Sequence, residues 1–287
     1  MASTESSAVL PPELEREIFE LCALYRPSSI LRLVLVARRV NEWVGPLRYR
    51  TLVVDAVSHS MNDMGSTGVP VHSVKRVAAL DTNSPTSVLA AVRHLFLLSS
   101  DDASDEWTSV LAACTHLDNL SLMGRTAKWI HLISSLPLKH LYAPPEEIVQ
   151  MLGPTFAHLT HLEIFDTPQD RSLWLDKLAS LPRLTHLAFH DRLDTLFPQL
   201  LRECTGLRVL ICLAGLGTSY EGAVELAQDV RFVAMRCDNY VQDWYMGARW
   251  GEDYWYRAEI FIAKRRTREI DPLQFEMKDE SPDTLPL

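Results

Sequence analysis

The chain has 287 residues, 47% of them hydrophobic, and a formal net charge of −9. That length allows one or two domains with a sizeable core, and the excess of acid argues against a general nucleic-acid binder, which would present a basic face. No apolar run reaches the ~18 residues of a membrane span, and Met1 to Pro12 lack the basic-then-apolar pattern of a secretory signal.

Five scattered cysteines, Cys22, Cys114, Cys204, Cys212 and Cys237, fit a reducing compartment better than a disulfide framework or a zinc module. A cytoplasmic or nuclear location is the corresponding expectation.

Residues 1–56 read as a small helical motif. Leu10-Pro11-Pro12-Glu13-Leu14 opens a helix, because proline's missing N–H costs little in the first turn. Leu14, Ile18, Leu21, Cys22 and Tyr25 come next on one face at helical spacing, and Pro27 stops it. Ser28 or Ser29 can cap a second helix, with Ile30, Leu33, Val34, Ala37, Val40 and Val44 in phase and Gly45-Pro46 as its end. A strand-like run, Thr51-Leu52-Val53-Val54, comes after it. The residues Leu10, Pro11, Glu13, Leu14, Glu17, Ile18 and Phe19, then Val36 to Val40 and Trp43, then Pro46-Leu47-x-Tyr49-Arg50, resemble the F-box-like motif of basidiomycete fungal proteins. That resemblance implies docking to a Skp-type adaptor through Leu10, Pro11, Leu14, Ile18 and Val36. A plain helical cap that shields the first repeat is the competing reading.

Residues 57–90 read as a connector. Gly65-Ser66-Thr67-Gly68 and Asn83-Ser84-Pro85 are loop chemistry, with a short helix between Val71 and Leu80 and low order expected around residues 58–69.

From residue 91 to 236 a Leu-x-x-Leu-x-apolar hexad recurs. It starts at Val92, Leu117, Leu138, Leu159, Leu184 and Leu207, with a weaker seventh copy at Val230; the intervals are 25, 21, 21, 25, 23 and 23 residues. This is the period of leucine-rich repeats. The predicted fold class is therefore α/β: an irregular leucine-rich-repeat solenoid with parallel strands and outer helices behind the F-box-like motif. Strand alternation sends the fourth and sixth hexad residues into the core: Leu95/Leu97, Leu120/Leu122, Leu141/Ala143, Leu162/Ile164, Leu187/Phe189 and Leu210/Cys212. The intervening helices are expected at Trp107–Cys114, Lys128–Leu136, Glu146–Phe156, Leu173–Leu181 and Leu193–Cys204. The usual Asn or Cys three residues past the hexad is missing, with Ser100, Arg125, Thr167 and Gly215 in its place. The curvature is therefore expected to be irregular and shallow.

The third hexad position holds His94, His140, His161 and His186. A column of three across neighbouring strands spans ~10 Å, too far for the ~2 Å bonds of one metal, so no metal site is read here. The histidines read as solvent-facing polar groups, with a pH-sensitive contact as the lesser alternative. The sequence carries no nucleophile-elbow, dinucleotide or phosphate-loop motif. We therefore expect no catalytic residue and no cofactor.

The fifth positions, Phe96, Ser121, Tyr142, Glu163, Ala188 and Ile211, and the seventh, Leu98, Met123, Pro144, Phe165, His190 and Leu213, form a column more apolar than a solvated surface needs. With His161 and His186 they make the expected partner surface, unless the C-terminal segment lies across it.

Residues 237–270 are rich in Trp and Tyr. They read as a cap for the open end of the repeats, with a partner groove as the alternative. A helix is expected from about Glu252 to Arg268. Lys264-Arg265-Arg266-x-Arg268 at its end suits the helix dipole better than a nuclear import signal. Residues 271–287 are expected to be a disordered tail, acidic and proline-containing from Asp279.

The functional expectation is a target-recognition adaptor of a Skp–cullin–F-box type ubiquitin ligase, with a Skp-type protein and an unknown target as partners. Neither nucleic acid nor membrane is expected as a partner. A free-standing repeat scaffold is the alternative.

Overall fold

A computed structural model describes residues 10–55, 69–82, 88–98, 105–124, 127–145, 148–149, 152–165, 170–190, 196–213 and 224–278. Residues 58–68, within the stretch where low order was expected, and the acidic end at 279–287 lie outside the described residues. The chain divides into two compact units at residue 50/51.

The first unit is helical. Helix α1 (Pro12–Tyr25) has proline in its first turn, with Glu13 and Glu15 there to meet the positive end of the helix dipole. The second predicted helix is broken in two. Helix α2 (Ile30–Leu33) stops, Ala37 is extended at φ −161° and ψ 157°, and α3 (Arg38–Val44) restarts the turn. The break lets both halves reach one small core of Ala23, Ile30, Val40 and Val44, flanked by Phe19, Leu33, Val34, Trp43 and Leu47. A two-pronged contact from Arg39 to Glu15, at 2.7 and 3.0 Å, ties α3 to α1.

The second unit is α/β. Its ten strands form one sheet in the order β10-β9-β8-β7-β6-β5-β4-β3-β1-β2, every pair parallel. The hexads supply β3 (His94–Leu97), β4 (Asn119–Leu122), β5 (His140–Ala143), β6 (His161–Ile164), β7 (His186–Phe189) and β8 (Val209–Leu213). Their register puts third position against third position from His94 through to Val209. β1 (Thr51–Asp55) and β2 (Val71–Ser73) extend the same sheet, so the predicted strand after Arg50 and part of the connector belong to it. Thr51 pairs with His94, which makes Tyr49 the start of a hexad the spacing did not reveal.

The seventh copy is shifted by one residue. Phe232, in β9 (Phe232–Met235), pairs with Leu210, so that hexad starts at Asp229 rather than Val230. β10 (Glu276–Met277) closes the order beside β9, which corrects the expected disorder for that part of residues 271–287: the strand pairing and the Arg265 bonds to the Pro272 carbonyl order it.

The fourth and sixth positions are fully buried, from Leu95 and Leu97 to Leu210 and Cys212. They face the inter-strand helices, described at α4 (Val74–Thr82), α5 (Asp105–Ala113), α6 (Ile130–Ile133), α7 (Arg171–Ala179), α8 (Leu196–Glu203) and α9 (Val224–Ala227). Phe197 of α8, for instance, packs between Phe189 and Phe232 at ring distances of 5.5 and 5.9 Å. Cys114 and Cys204 are buried among these groups, and burial pushes the Cys204 thiol up to about 11, which leaves it unreactive at neutral pH.

Backbone rungs join the strand starts. The Arg93 carbonyl accepts from the N–H groups of both Asp118 and Asn119, at 2.8 and 3.0 Å. Asp118, Lys139, Thr160 and Thr185 repeat the pattern with the next strand. These rungs depend on no side chain, so the second hexad position is free to vary between Arg, Asp, Lys and Thr.

No helix among the described residues is long and apolar enough to cross a membrane.

Candidate interaction surfaces

The second face of the sheet presents the third, fifth and seventh hexad positions, the face on which a partner surface was expected. It is covered. The C-terminal segment forms two helices, α10 (Tyr240–Trp250) and α11 (Tyr254–Thr267), and they lie on it. Only the second of these was read from the sequence.

Phe96 and Ile211 are 0% exposed, Tyr142 2% and His186 4%. Leu98, Met123 and Phe165 pack partly buried against the same cluster, and Trp255 meets the His161 ring edge-on at 5.4 Å. This corrects the expectation of an open partner surface and matches the stated alternative, that the C-terminal segment lies across the column. Trp244, Tyr254, Trp255, Phe261 and Ile262 supply the apolar cover.

The cover is also chemically specific. Trp244 donates its indole N–H to Asn119 Oδ1 at 3.1 Å, and Trp255 donates to the Tyr142 hydroxyl at 3.1 Å. Glu163, fully buried, accepts from the Tyr240 hydroxyl at 2.9 Å and from the Tyr254 hydroxyl, and pairs with His190 Nε2 at 2.5 Å. A buried carboxylate costs several kcal/mol unless paired, and three partners surround this one. Burial and the Glu163 charge both raise the pKa of Tyr240 and Tyr254, which keeps them protonated donors.

His140, His161 and His186 form the predicted column, but under the cover rather than in solvent. Neighbouring rings stack at 4.0 Å, and Trp255 meets His161 and His186 edge-on. The preceding threonines fix two of the rings: Thr160 and Thr185 hydroxyls lie 2.8 Å from Nδ1 of His161 and His186. Burial brings His140 down to about 4 and His161 well below the ordinary histidine range. Burial likewise brings His186 to about 4, against the opposing pull of Glu259, 3.2 Å from its Nε2. Stacked rings present faces to one another instead of converging nitrogen lone pairs. Among the described residues no group of three or more His, Cys, Asp or Glu is placed to hold a metal.

The two covering helices meet at a tight corner. Gly251 ends α10 in the left-handed conformation at φ 74°, and Asp253 caps α11 by accepting from Tyr256 N at 3.0 Å. Asp243, fully buried, holds the Tyr254 N–H at 2.7 Å and Arg257 at 2.6 Å. Burial raises Asp253 to about 7, and the neighbouring Asp243 charge adds to the rise.

One member of the basic run at the end of α11 is part of the same packing. Arg265 is 1% exposed and donates to the carbonyls of Ala227, Val230, Phe232 and Pro272. It is out of reach of a receptor that reads an extended basic segment.

The first unit shows the opposite pattern. Leu14, Ile18, Leu21 and Tyr25 line one stripe of α1 and are 48%, 48%, 44% and 76% exposed. Burial falls instead on Ala23, with Phe19 packed beside it. The predicted anchors Leu10, Pro11, Leu14, Ile18 and Val36 are all exposed. A 41-residue helical unit thus carries most of the exposed large hydrophobics among the described residues: Leu31 and Leu35, at 59% and 83%, join those already named.

Sequence reasoning missed Glu163 and its two tyrosines. A lone carboxylate between Tyr142 and Ala188 in an otherwise uncharged fifth-position column was the signal that could have found them. No protein-family model matches the sequence, and no curated protein matches it.

Proposed function

We propose that the chain is a non-catalytic target-recognition adaptor of a Skp–cullin–F-box type ubiquitin ligase. On this reading the first unit is an F-box-like motif that docks a Skp-type protein, and the second is an irregular leucine-rich-repeat solenoid. Ubiquitin transfer belongs to other subunits, in the cytoplasm or the nucleus.

The observation that carries the proposal is the exposed stripe Leu14-Ile18-Leu21-Tyr25 on α1, together with Leu10 and Val36. A stripe spaced i, i+4, i+7, i+11 that its own unit leaves uncovered is what a helix-in-groove contact requires. Exposed apolar area on this scale marks a binding site in a soluble protein. In the second unit, by contrast, both faces of the sheet are covered by its own helices.

Affinity capture from a fungal extract, with the whole chain and with a chain lacking residues 1–50, tests the reading. A Skp-type protein should appear with the first and be lost with the second. Its absence from both, or its presence in both, contradicts the proposal.

A further inference from the structure

With the sheet face closed, any exposed binding surface of the second unit lies elsewhere. We propose that the outer face of α11 is a docking surface for a short acidic peptide segment carrying an apolar side chain. The proposal does not depend on the adaptor reading.

Large exposed hydrophobics are scarce in this unit. Among the described residues they are Leu173, Tyr256, Ile260 and Leu273. Two of the four stand one helical turn apart on α11, with Tyr256 48% and Ile260 39% exposed. Lys264 continues their stripe by one more turn and is exposed. The opposite side of the helix is occupied by Trp255, Ala258, Phe261, Ile262 and Arg265, so the outer face is held rigid from below. A partner would cost the protein little freedom in binding there.

The charge of this face runs against that of the molecule. The chain carries −9 overall, yet Glu259 is the single acid from Tyr254 to Arg268. Two of the cations in that stretch are already used, Arg257 by Asp243 and Arg265 by four carbonyls. Lys264, Arg266 and Arg268 are exposed and have no carboxylate partner among the described residues. Arg208, from the start of β8, pairs with Glu259 at 3.0 Å and so offsets the one acid of this stretch.

The helix dipole rewards cations in the last turn only. It does not account for the exposed Tyr256 and Ile260, one to three turns earlier. A short acidic segment with one apolar anchor complements all of these.

A long polyanion does not. Beyond the ~8 Å screening length it meets the acidic remainder of the molecule, whereas a short peptide meets only the local patch.

The test uses fluorescence anisotropy on the full chain, with no other protein present. The probe is a labelled peptide of about twelve residues, Glu and Asp around a central Leu-Phe pair. Controls are the same peptide with Gln and Asn for the acids and a single-stranded oligouridylate of equal length. The acidic peptide should bind, and binding should weaken steeply with salt. Lys264→Glu with Arg266→Glu should weaken it about tenfold or more. Tyr256→Ala should weaken it several-fold, and Ile18→Asp should leave it unchanged. The salt dependence of the unsubstituted protein reads the charge contribution without any substitution. Failure to bind the acidic peptide, equal binding of the uncharged peptide, equal binding by the charge-reversed protein, or tighter binding of the oligouridylate each overturns the proposal.

Discussion

The indole N–H of Trp255 donates to the hydroxyl of Tyr142 across 113 positions of sequence, 3.1 Å apart and out of contact with water. The bond joins the fifth hexad position of β5 to the first turn of α11. It marks where the C-terminal helices are fastened to the sheet. Tyr142→Phe removes the acceptor and leaves a buried indole donor unpaired, which costs about 1–3 kcal/mol. Trp255→Ala also empties the space above His161 and His186 and should cost about 3–5 kcal/mol. Denaturant unfolding of the two variants should return that order.

Glu163 offers a second probe of the same junction. Glu163→Ala leaves the hydroxyls of Tyr240 and Tyr254 facing a void they cannot satisfy. A loss of about 3 kcal/mol or more is expected, because two donors lose a charged acceptor at once. Tyr240→Phe, which removes one donor and leaves the carboxylate with Tyr254 and His190, should cost less. Thermal melting of both variants checks the ranking.

Gly247 lies against the α10–α11 corner. A Cβ there would stand 2.3 Å from Asp253 Oδ2 and 2.5 Å from its Cβ. Asp253 cannot yield without releasing the cap of α11, so Gly247→Ala should destabilise by about 1–3 kcal/mol although alanine favours helices. A neutral or stabilising result in urea unfolding would show that the corner is looser than described.

Much of this arrangement was legible in the sequence, because the repeat's alternation fixes which residues share a face. The six hexads from Val92 to Leu207 land on β3 to β8 with third positions in register. The seventh slipped by one because both faces of β9 are apolar. In Val-Arg-Phe-Val-Ala-Met, Phe232 and Val233 are equally plausible inward residues, and burial on both sides removes the polar alternation that sets register. Exposure of the fifth position was misjudged for a related reason. A sheet face reads as solvated or covered only once the covering element is known. Helix α10 was not read because its aromatics look like a cap of any geometry, although Tyr240, Trp244 and Tyr245 do keep helical spacing. In the first unit the apolar stripe of α1 was found, but periodicity alone does not say whether a stripe faces its own core. Ala23 and Phe19 take that role instead.

The histidine column makes stability depend on pH with a definite sign. Burial holds His140 and His186 near 4 in the folded chain, against an ordinary 6.5, and holds His161 lower still. Groups with depressed folded pKa values contribute stability that is present above about 6.5 and lost as pH falls toward 4. His186 alone should account for roughly 1–2 kcal/mol between pH 7 and 5. Asp253 acts in the opposite direction. Its folded value is raised to about 7 from 3.8, so its contribution is full below 3.8 and fades as pH rises through 7. Asp253→Asn removes that opposition, and the variant should lose stability more steeply than the parent on acidification from pH 8 to 5. Urea unfolding midpoints across that range check both slopes.

The proposed docking of a Skp-type protein on the exposed stripe of α1 is open to direct measurement. Isothermal titration of a purified Skp-type protein into the full chain, parent and Ile18→Asp, tests it most directly. The parent should bind one to one, and Ile18→Asp should weaken binding about a hundredfold or more, because the interface would bury an unpaired carboxylate. Ile18 is 48% exposed, so the substitution should leave the melting transition of the chain unchanged. No binding by the parent, or equal binding by the variant, would contradict the account.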